Sequence, residues 1–279
     1  MGTRSEHTSE HRRVCIQGGE LDTLLTGEGE PVLVIPTAVN PYELAPLARL
    51  LADTERYRVV QYRRRGSGGS SHVQLGGTIA EEAADAAAIL RELGMGRAHV
   101  VGASYSSAIA LELAEARPDL VHTLTVYEPP PTYTPNAAEF RSRNADLLEQ
   151  EQAIGAVETL HAFERALDGP EWRTEIERLV PGSVAAIDAE ADLFFAHDIP
   201  ALLAWEFDAD RAGRIPCPVL CLRGTTSGPW FQQSTGLLAQ WLPEARTVVI
   251  EGADHSACLN RAADVAAAIL DFMTEHPIG

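Results

Sequence analysis

Ser104 is the residue of this sequence whose setting best suits a nucleophile. It stands in the run Gly-Ala-Ser-Tyr-Ser at 102–106, which ends an apolar strand pattern at 98–103 and leads into helical spacing. A serine at a tight strand-to-helix turn presents its hydroxyl beyond the sheet edge, provided that the positions two before and two after it are small. Gly102 and Ser106 meet that requirement. An ordinary β-turn-α junction is the alternative interpretation.

His255 is the candidate base for this serine, because it lies between the last predicted strand, 246–250, and the last predicted helix, 262–272. Histidine takes and returns a proton near neutral pH, which is what a serine nucleophile requires of its partner. The alternative is a surface-loop histidine, the role that the sequence predicts for the histidines near the two termini.

Composition limits the classes of partner. The 279 residues are 45% hydrophobic, enough for one large α/β domain, and 40 acidic against 22 basic residues give a net charge of −18. This charge disfavours nucleic acid and anionic membranes, and no apolar run has the length of a membrane span or a secretory signal. We therefore expect a cytoplasmic protein. Its four cysteines lack metal-ligand spacing, and Cys217 and Cys221 are expected to be buried reduced thiols.

Alternating strand and helix patterns predict the elements that position these residues. Strands are expected at 14–17, 20–25, 31–35, 57–62, 98–103, 121–128, 218–223 and 246–250, and helices at 44–53, 78–93, 108–116 and 262–272. Such alternation predicts an α/β fold, with a mostly parallel sheet flanked by helices. Residues 1–12 are polar and are expected to be disordered.

Between 129 and 215 the pattern changes to short amphipathic helices. They are expected at 137–148, 154–167, 172–179 and 183–195. This stretch predicts a helical lid inserted before the last two strands. The core of the fold then comprises 13–128 and 216–279.

Four motifs, and their order along the chain, resemble the α/β-hydrolase fold superfamily, specifically its lid-bearing esterase, lactonase and haloperoxidase-like members. They are the nucleophile elbow at 102–106, the loop at 62–70, Tyr-Glu-Pro-Pro at 127–130 and Gly-Ala-Asp-His at 252–255. The resemblance extends over about 14–274 and implies acyl transfer through an acyl-enzyme. It also implies an oxyanion hole formed by the backbone N–H groups of Tyr105 and Ala38.

The sequence departs from the family at the acid of the catalytic triad. The family usually places this acid three residues beyond the glycine that ends the strand at 218–223, and that position here is Ser227. Glu128 is the preferred replacement, since some members supply the acid from the end of the strand after the elbow. Asp254 is adjacent to His255 and a poor partner for it, and Asp198 would have to fold inward from the lid.

Two loops also differ from the family's pattern. The oxyanion loop has Pro36-Thr37 where His-Gly is usual, so Thr37 offers a hydroxyl to the substrate. The loop at 62–70 carries arginines at 63–65, which either recognise a substrate carboxylate or phosphate or are solvated or paired internally. Its glycines lack the Gly-Lys-Ser/Thr of a phosphate-binding loop. The sequence therefore predicts no cofactor, and no metal site.

Aromatic side chains are expected to make the substrate pocket apolar, which favours a hydrophobic small-molecule substrate. The candidates for substrate binding are Thr37, Phe195, His197, Trp205 and Trp230. The leading interpretation is a serine hydrolase that cleaves an ester, lactone or thioester. One alternative is a lyase, cyclase or isomerase that uses Ser104 and His255 for proton transfer, motivated by the missing acid. The other is a non-catalytic binding protein on the same scaffold, and the oligomeric state stays open.

Overall fold

The computed structural model describes residues 9–72 and 77–279, and over these ranges it contains one mixed sheet of eight strands. The strands are β1 (Ser9–Ile16), β2 (Gly19–Thr26), β3 (Glu30–Val34), β4 (Tyr57–Tyr62), β5 (Ala98–Ala103), β6 (Val121–Tyr127), β7 (Val219–Gly224) and β8 (Arg246–Ile250). Their order in the sheet is β1-β2-β4-β3-β5-β6-β7-β8. The pairs β1-β2 and β2-β4 are antiparallel and the other five pairs are parallel, which confirms the predicted fold class.

Helices flank this sheet. They are α1 (Ala45–Ala52), α2 (Ile79–Glu92), α3 (Tyr105–Ala116), α4 (Ala137–Ile154), α5 (Ala156–Asp168), α6 (Trp172–Leu179), α7 (Ser183–Leu193), α8 (Ile199–Ala204), α9 (Ala209–Ala212), α10 (Pro229–Trp241), α11 (Ala257–Asn260) and α12 (Ala262–Glu275). A π-helical turn at Phe194–Asp198 joins α7 to α8. None of the helices in the described ranges has the length and apolar character needed to cross a membrane.

Side chains of the central strands alternate between two apolar cores. Leu33 and Ile35 belong to a cluster that includes residues of α2 and α3, whereas Val32 and Val34 belong to a second cluster with residues of α1 and α12. This alternation follows from the two-residue period of a strand, and it explains why the central strands are continuously apolar. The carboxyl ends of β5 to β8 are thereby fixed side by side.

Helices α4 to α9 occupy the connection between β6 and β7, within the stretch predicted to form a lid. The chain turns between α4 and α5 at Gly155, whose φ of 89° suits glycine and ends the first helix. The sequence predicts the four longer helices here to within a few residues, except that α4 runs six residues past its predicted end at 148. The short helices α8 and α9 are not among the predicted elements.

Two further sequence expectations need correction. Residues 9–12 are not disordered but form the start of β1, where Ser9 pairs with Thr26 across the antiparallel ladder. Exposed, charged side chains suit such an edge strand, and this composition resembles that of a disordered tail. The rest of the expected disordered segment, 1–8, lies outside the described residues. Helix α10 was also not predicted, because Gln232, Gln233, Ser234 and Gly236 interrupt its apolar period.

Candidate active site

The turn at Ser104 has the backbone geometry of a nucleophile held in one direction. Ser104 adopts φ 49° and ψ −123°, a strained conformation for a residue with a side chain. A Cβ atom at Gly102 would lie 2.4 Å from the Ser106 carbonyl oxygen, so only glycine fits there. Ser106 Oγ accepts a hydrogen bond from Ala103 N and donates one to Ala103 O, each at 2.9 Å. The hydroxyl of Ser106 thus stabilises the turn through two hydrogen bonds that a glycine at this position could not make.

The structure brings together the three residues proposed for catalysis. His255 Nε2 lies 2.9 Å from Ser104 Oγ, and His255 Nδ1 lies 2.7 Å from Glu128 Oε2. A carboxylate at Nδ1 favours the tautomer that carries its proton there, which leaves Nε2 free to accept the serine proton. The ring of Phe231 stacks on the imidazole, with 3.8 Å between centroids and 12° between planes. This contact fixes the plane of the ring.

Glu128 follows β6, and hydrogen bonds from the end of β7 hold its side chain. The family usually places the acid after β7. Its side chain is fully buried, and Oε1 accepts hydrogen bonds from Gly224 N at 2.8 Å and from the Ser227 hydroxyl. Strands β6 and β7 are neighbours, and Tyr127 pairs with Leu222, so their ends lie side by side. The glutamate therefore reaches the imidazole from β6, while Ser227, at the position of the family's usual acid, donates a hydrogen bond to it.

A protein-family model described as "Alpha/beta hydrolase family" matches residues 32–268. The chain belongs to this family. The esterase from Thermogutta terrifontis shares its fold, with a TM-score of 0.77, 20% identity, and coverage of 96% of this chain and 100% of the esterase. The enol-lactonase from Burkholderia xenovorans LB400 also shares its fold, with a TM-score of 0.75, 22% identity, and coverage of 94% of this chain and 100% of the lactonase. A candidate carbamate hydrolase, RutD, from Stutzerimonas stutzeri (strain A1501) is 25% identical over 251 residues, which are 88% of this chain and 92% of that protein.

In this alpha/beta hydrolase a cavity of about 490 Å³ opens beside Ser104. Four of the other predicted site residues line it together with His255: Thr37, Ala38, Tyr105 and Trp230. Its apolar walls come mainly from the helices between β6 and β7 and from α10. Among the apolar side chains lining the cavity are Phe140, Leu147, Phe163, Phe194, Leu202 and Phe231. A small molecule in this cavity would contact apolar surface and the serine hydroxyl together.

The structure places three candidate substrate-binding residues away from this lining. Neighbouring residues of a helical turn point in different directions, so Phe194 faces the cavity and Phe195 does not. The ring of Phe195 packs edge-on against the ring of Phe194, with 5.1 Å between centroids. Trp205 stacks on Phe207 and donates from Nε1 to Glu112 at 2.9 Å. His197 is buried in an ion-pair network with Glu82 and Asp198.

Arg64 and Arg65 are paired internally with carboxylates rather than open to substrate. Arg64 donates two hydrogen bonds to Asp198, at 2.7 and 2.8 Å, and a third to Glu82 at 3.1 Å. Tyr105, the residue after Ser104, donates from its hydroxyl to the same Glu82 at 2.6 Å. Burial alone would lower the pKa of Arg64, but the charges of Asp198 and Glu82 outweigh burial and raise it well above its ordinary value. This network connects the helical insertion to the nucleophile turn.

His197 completes the network, and with Glu82 and Asp198 it makes a set of side chains that could ligate a metal ion. Burial would lower the pKa of His197, but its 3.0 Å hydrogen bond to Asp198 and the charge of Glu82 raise it. The Arg64 guanidinium already provides a cation for both carboxylates, at hydrogen-bonding distance. The donor set therefore serves an ion pair and leaves little negative charge for a metal.

The oxyanion loop is also strained. Val39 has φ 66°, an unusual value for a β-branched residue, and Asn40 N donates to Ala38 O at 2.8 Å across it. This arrangement is a γ-turn of the rare positive-φ form. It fixes the backbone around Ala38 next to the cavity, where the second oxyanion donor is expected.

Sequence reasoning missed a polar side of the cavity, formed by Asn40, Glu43, Glu164 and Asp168. A signal for two of them was present. Glu164 and Asp168 continue a four-residue spacing from Ala156 and Leu160, both buried, which places them on the inward face of α5. A charged residue on an amphipathic helix normally faces solvent, and the inward spacing is what distinguishes these two.

Proposed function

We propose that this protein is a serine hydrolase that cleaves an ester, lactone or thioester of a hydrophobic small molecule. The observation that carries the proposal is the hydrogen-bond chain from Ser104 through His255 to Glu128, at 2.9 and 2.7 Å. The chain opens into a cavity with mostly apolar walls, which suits an apolar acyl or alcohol group.

In the first half of the reaction, Ser104 Oγ forms a bond to the substrate carbonyl carbon while its proton passes to His255 Nε2. Glu128 stabilises the imidazolium that results. The developing oxyanion accepts hydrogen bonds from the N–H groups of Tyr105 and Ala38. The bond to the alcohol or thiol then breaks, and His255 returns the proton to that leaving group. An acyl-enzyme remains on Ser104.

In the second half, His255 takes a proton from water, whose oxygen attacks the acyl carbon. Collapse of this intermediate releases the carboxylic acid and restores the serine hydroxyl. The helices α4 to α8 act as a lid that keeps the cavity apolar around the acyl-enzyme. The missing acid after β7 motivates proton transfer without acylation, whereas a carboxylate supplied by Glu128 from β6 favours acylation.

A serine-directed phosphonate tests the proposal, followed by intact-mass measurement and by turnover of p-nitrophenyl butyrate. We expect one phosphonate per chain and a burst of p-nitrophenolate in the wild type. Ser104→Ala should lose both, whereas Ser142→Ala, which changes an exposed serine of α4, should keep both. Labelling without turnover of any ester, lactone or thioester would favour proton-transfer chemistry instead. Failure to label Ser104 at all would overturn the proposal.

A further inference from the structure

Three carboxyl groups lie on one side of the cavity that reaches Ser104. Glu43 precedes α1, and Glu164 and Asp168 lie one turn apart on α5; these three residues are called the acid wall. Asp168 accepts a hydrogen bond from the hydroxyl of Ser256 at 2.5 Å, and Ser256 is adjacent in sequence to the candidate base. The acid wall is therefore part of the space in which a substrate would bind.

No cation of the described residues neutralises the acid wall. Glu164 is only 4% exposed, and its carboxyl has no hydrogen-bond partner within residues 9–72 and 77–279. Burial, together with the charge of Asp168, raises the pKa of Glu164 to about 8. Burial likewise raises the pKa of Glu43. Arg143 also lines the cavity, but it faces Glu139 at 3.9 Å and its side chain is 68% exposed.

Asn40 supplies a second, independent indication that this side of the cavity is suited to a polar ligand. Asn40 is 4% exposed and lines the cavity, yet its Nδ2 has no hydrogen-bond partner among the described residues. Its Oδ1 accepts from Tyr42 N at 3.0 Å, which fixes the amide with Nδ2 as the unpaired end. A buried donor without a partner is costly, so a ligand that carries an acceptor would stabilise it.

We propose that the acid wall binds a protonated amine of the substrate, so that the substrate class is an apolar ester, lactone or thioester bearing an ammonium group. This inference rests on the proposed function of the same site. An ammonium group has three donors and no acceptor, which matches three carboxyl groups that have acceptors to spare. The ligand also carries an oxygen acceptor for Asn40. The net charge of −18 attracts a cationic substrate towards the protein.

Binding itself is tested without catalysis. Isothermal titration of the Ser104→Ala variant compares n-hexylamine with 1-hexanol, which has nearly the same shape but no charge. Because a hydrogen bond to a charged group is stronger than one to a neutral group, we expect the amine to bind at least about tenfold more tightly. The double change Glu164→Gln and Asp168→Asn should bring the two dissociation constants to within about threefold. Glu158→Gln, on the exposed side of α5, should keep the full preference.

Proton release gives a second readout. The ammonium group requires an ionised carboxylate, so amine binding should release a proton from Glu164 when the pH is below about 8. The heat of binding at pH 7 should then depend on the buffer for hexylamine and not for hexanol. Amine affinity should rise between pH 6 and 8. The other ionisable groups near the wall are Glu43, Glu175, Asp254 and His255, so the Glu164→Gln variant is needed to assign the released proton.

Turnover separates this inference from the proposed function. The active enzyme is compared on p-nitrophenyl 6-aminohexanoate and p-nitrophenyl heptanoate, which differ by an ammonium in place of a methyl group. A kcat/KM at least about tenfold higher for the amino ester supports the inference. Hydrolysis of both esters without preference, or equal dissociation constants for hexylamine and hexanol, overturns it and leaves the hydrolase proposal standing. Tight amine binding without turnover of either ester supports the amine site but overturns the proposal that the protein is a hydrolase. Hexanol binding shows that each variant retains its cavity.

Discussion

Replacing Glu128 with glutamine tests the catalytic relay by changing one oxygen to nitrogen. Both carboxylate oxygens are acceptors in the wild type: Oε2 at 2.7 Å from His255 Nδ1, and Oε1 at 2.8 Å from Gly224 N. An amide has only one accepting end. If its oxygen faces His255, its NH₂ group meets the N–H of Gly224. If the amide is flipped, so that its NH₂ group faces His255, the imidazole must take the tautomer that cannot accept the proton of Ser104.

The size of the effect follows from these two orientations. Loss of the correct tautomer costs a triad about 10⁴ in kcat, which is about 5.5 kcal/mol in the activation barrier. Two donors that face each other at Gly224 cost about 1–3 kcal/mol of folding stability. We therefore expect Glu128→Gln to lower kcat for p-nitrophenyl butyrate by about 10³ to 10⁴. KM should change little, because Glu128 is buried behind the imidazole and does not line the cavity.

The assay is the release of p-nitrophenolate, with the free energy of unfolding measured in urea for each variant. Glu251→Gln, an exposed change of the same type after β8, is the matched control. A carboxylate returned to the family's usual position, by Ser227→Asp in the Glu128→Gln background, should recover at least about tenfold of the lost kcat. If folded Glu128→Gln keeps more than about a tenth of the wild-type kcat, the imidazole does not depend on this carboxylate and the relay is wrong.

Three other changes test the packing and charge around the site, each measured as the free energy of unfolding in urea. Gly102→Ala should destabilise the protein by more than about 2 kcal/mol, because the added methyl would lie 2.4 Å from the Ser106 carbonyl oxygen. Arg64→Met should cost about 3–5 kcal/mol, because the buried Asp198 would lose its guanidinium partner and, among the described residues, keep only His197. Glu164→Gln should stabilise the protein by an amount near zero below pH 4.5 that grows to roughly 3–5 kcal/mol at pH 8. In the wild type, the raised pKa of Glu164 favours the folded state at low pH and this advantage is lost as the pH rises to about 8.

Each of these expectations has an opposite outcome. A Gly102→Ala protein as stable as the wild type would mean that the elbow can relax without cost. An Arg64→Met protein of wild-type stability would mean that water or a second cation reaches Asp198. A stability difference for Glu164→Gln that stays constant between pH 5 and 8 would mean that this carboxyl is already ionised in the folded protein.

The nucleophile turn was predictable from sequence because its constraints are local. The strand, the glycine two before Ser104 and the helix after it lie within about twenty residues, and sterics alone select them. The contact between Glu128 and His255 was predictable by a different argument, namely the absence of a carboxylate at Ser227. How Glu128 is held was not predictable, since its bonds to Gly224 and Ser227 join residues 96 and 99 positions apart.

The acid wall shows where reasoning from a single sequence fails. A glutamate on an amphipathic helix predicts a solvent-facing side chain, and only the packing of α5 over the cavity turns Glu164 inward. The prediction that Phe195 and Trp205 line the pocket is wrong for the converse reason. Aromatic residues near a site predict pocket walls, but their orientation depends on a π-helical turn and on a partner at Glu112 that no local pattern reveals.

The acid wall and the relay must also be compatible with each other, since Asp168 binds Ser256 next to His255. Three full negative charges beside the imidazole would hold its proton too strongly for transfer to a leaving group. Burial prevents this by raising the pKa of Glu43 and of Glu164, so that the empty wall carries less charge than its three carboxyl groups suggest. A bound ammonium would ionise Glu164 and neutralise the single charge so created. The wall can therefore select a cation without changing the net charge that His255 experiences.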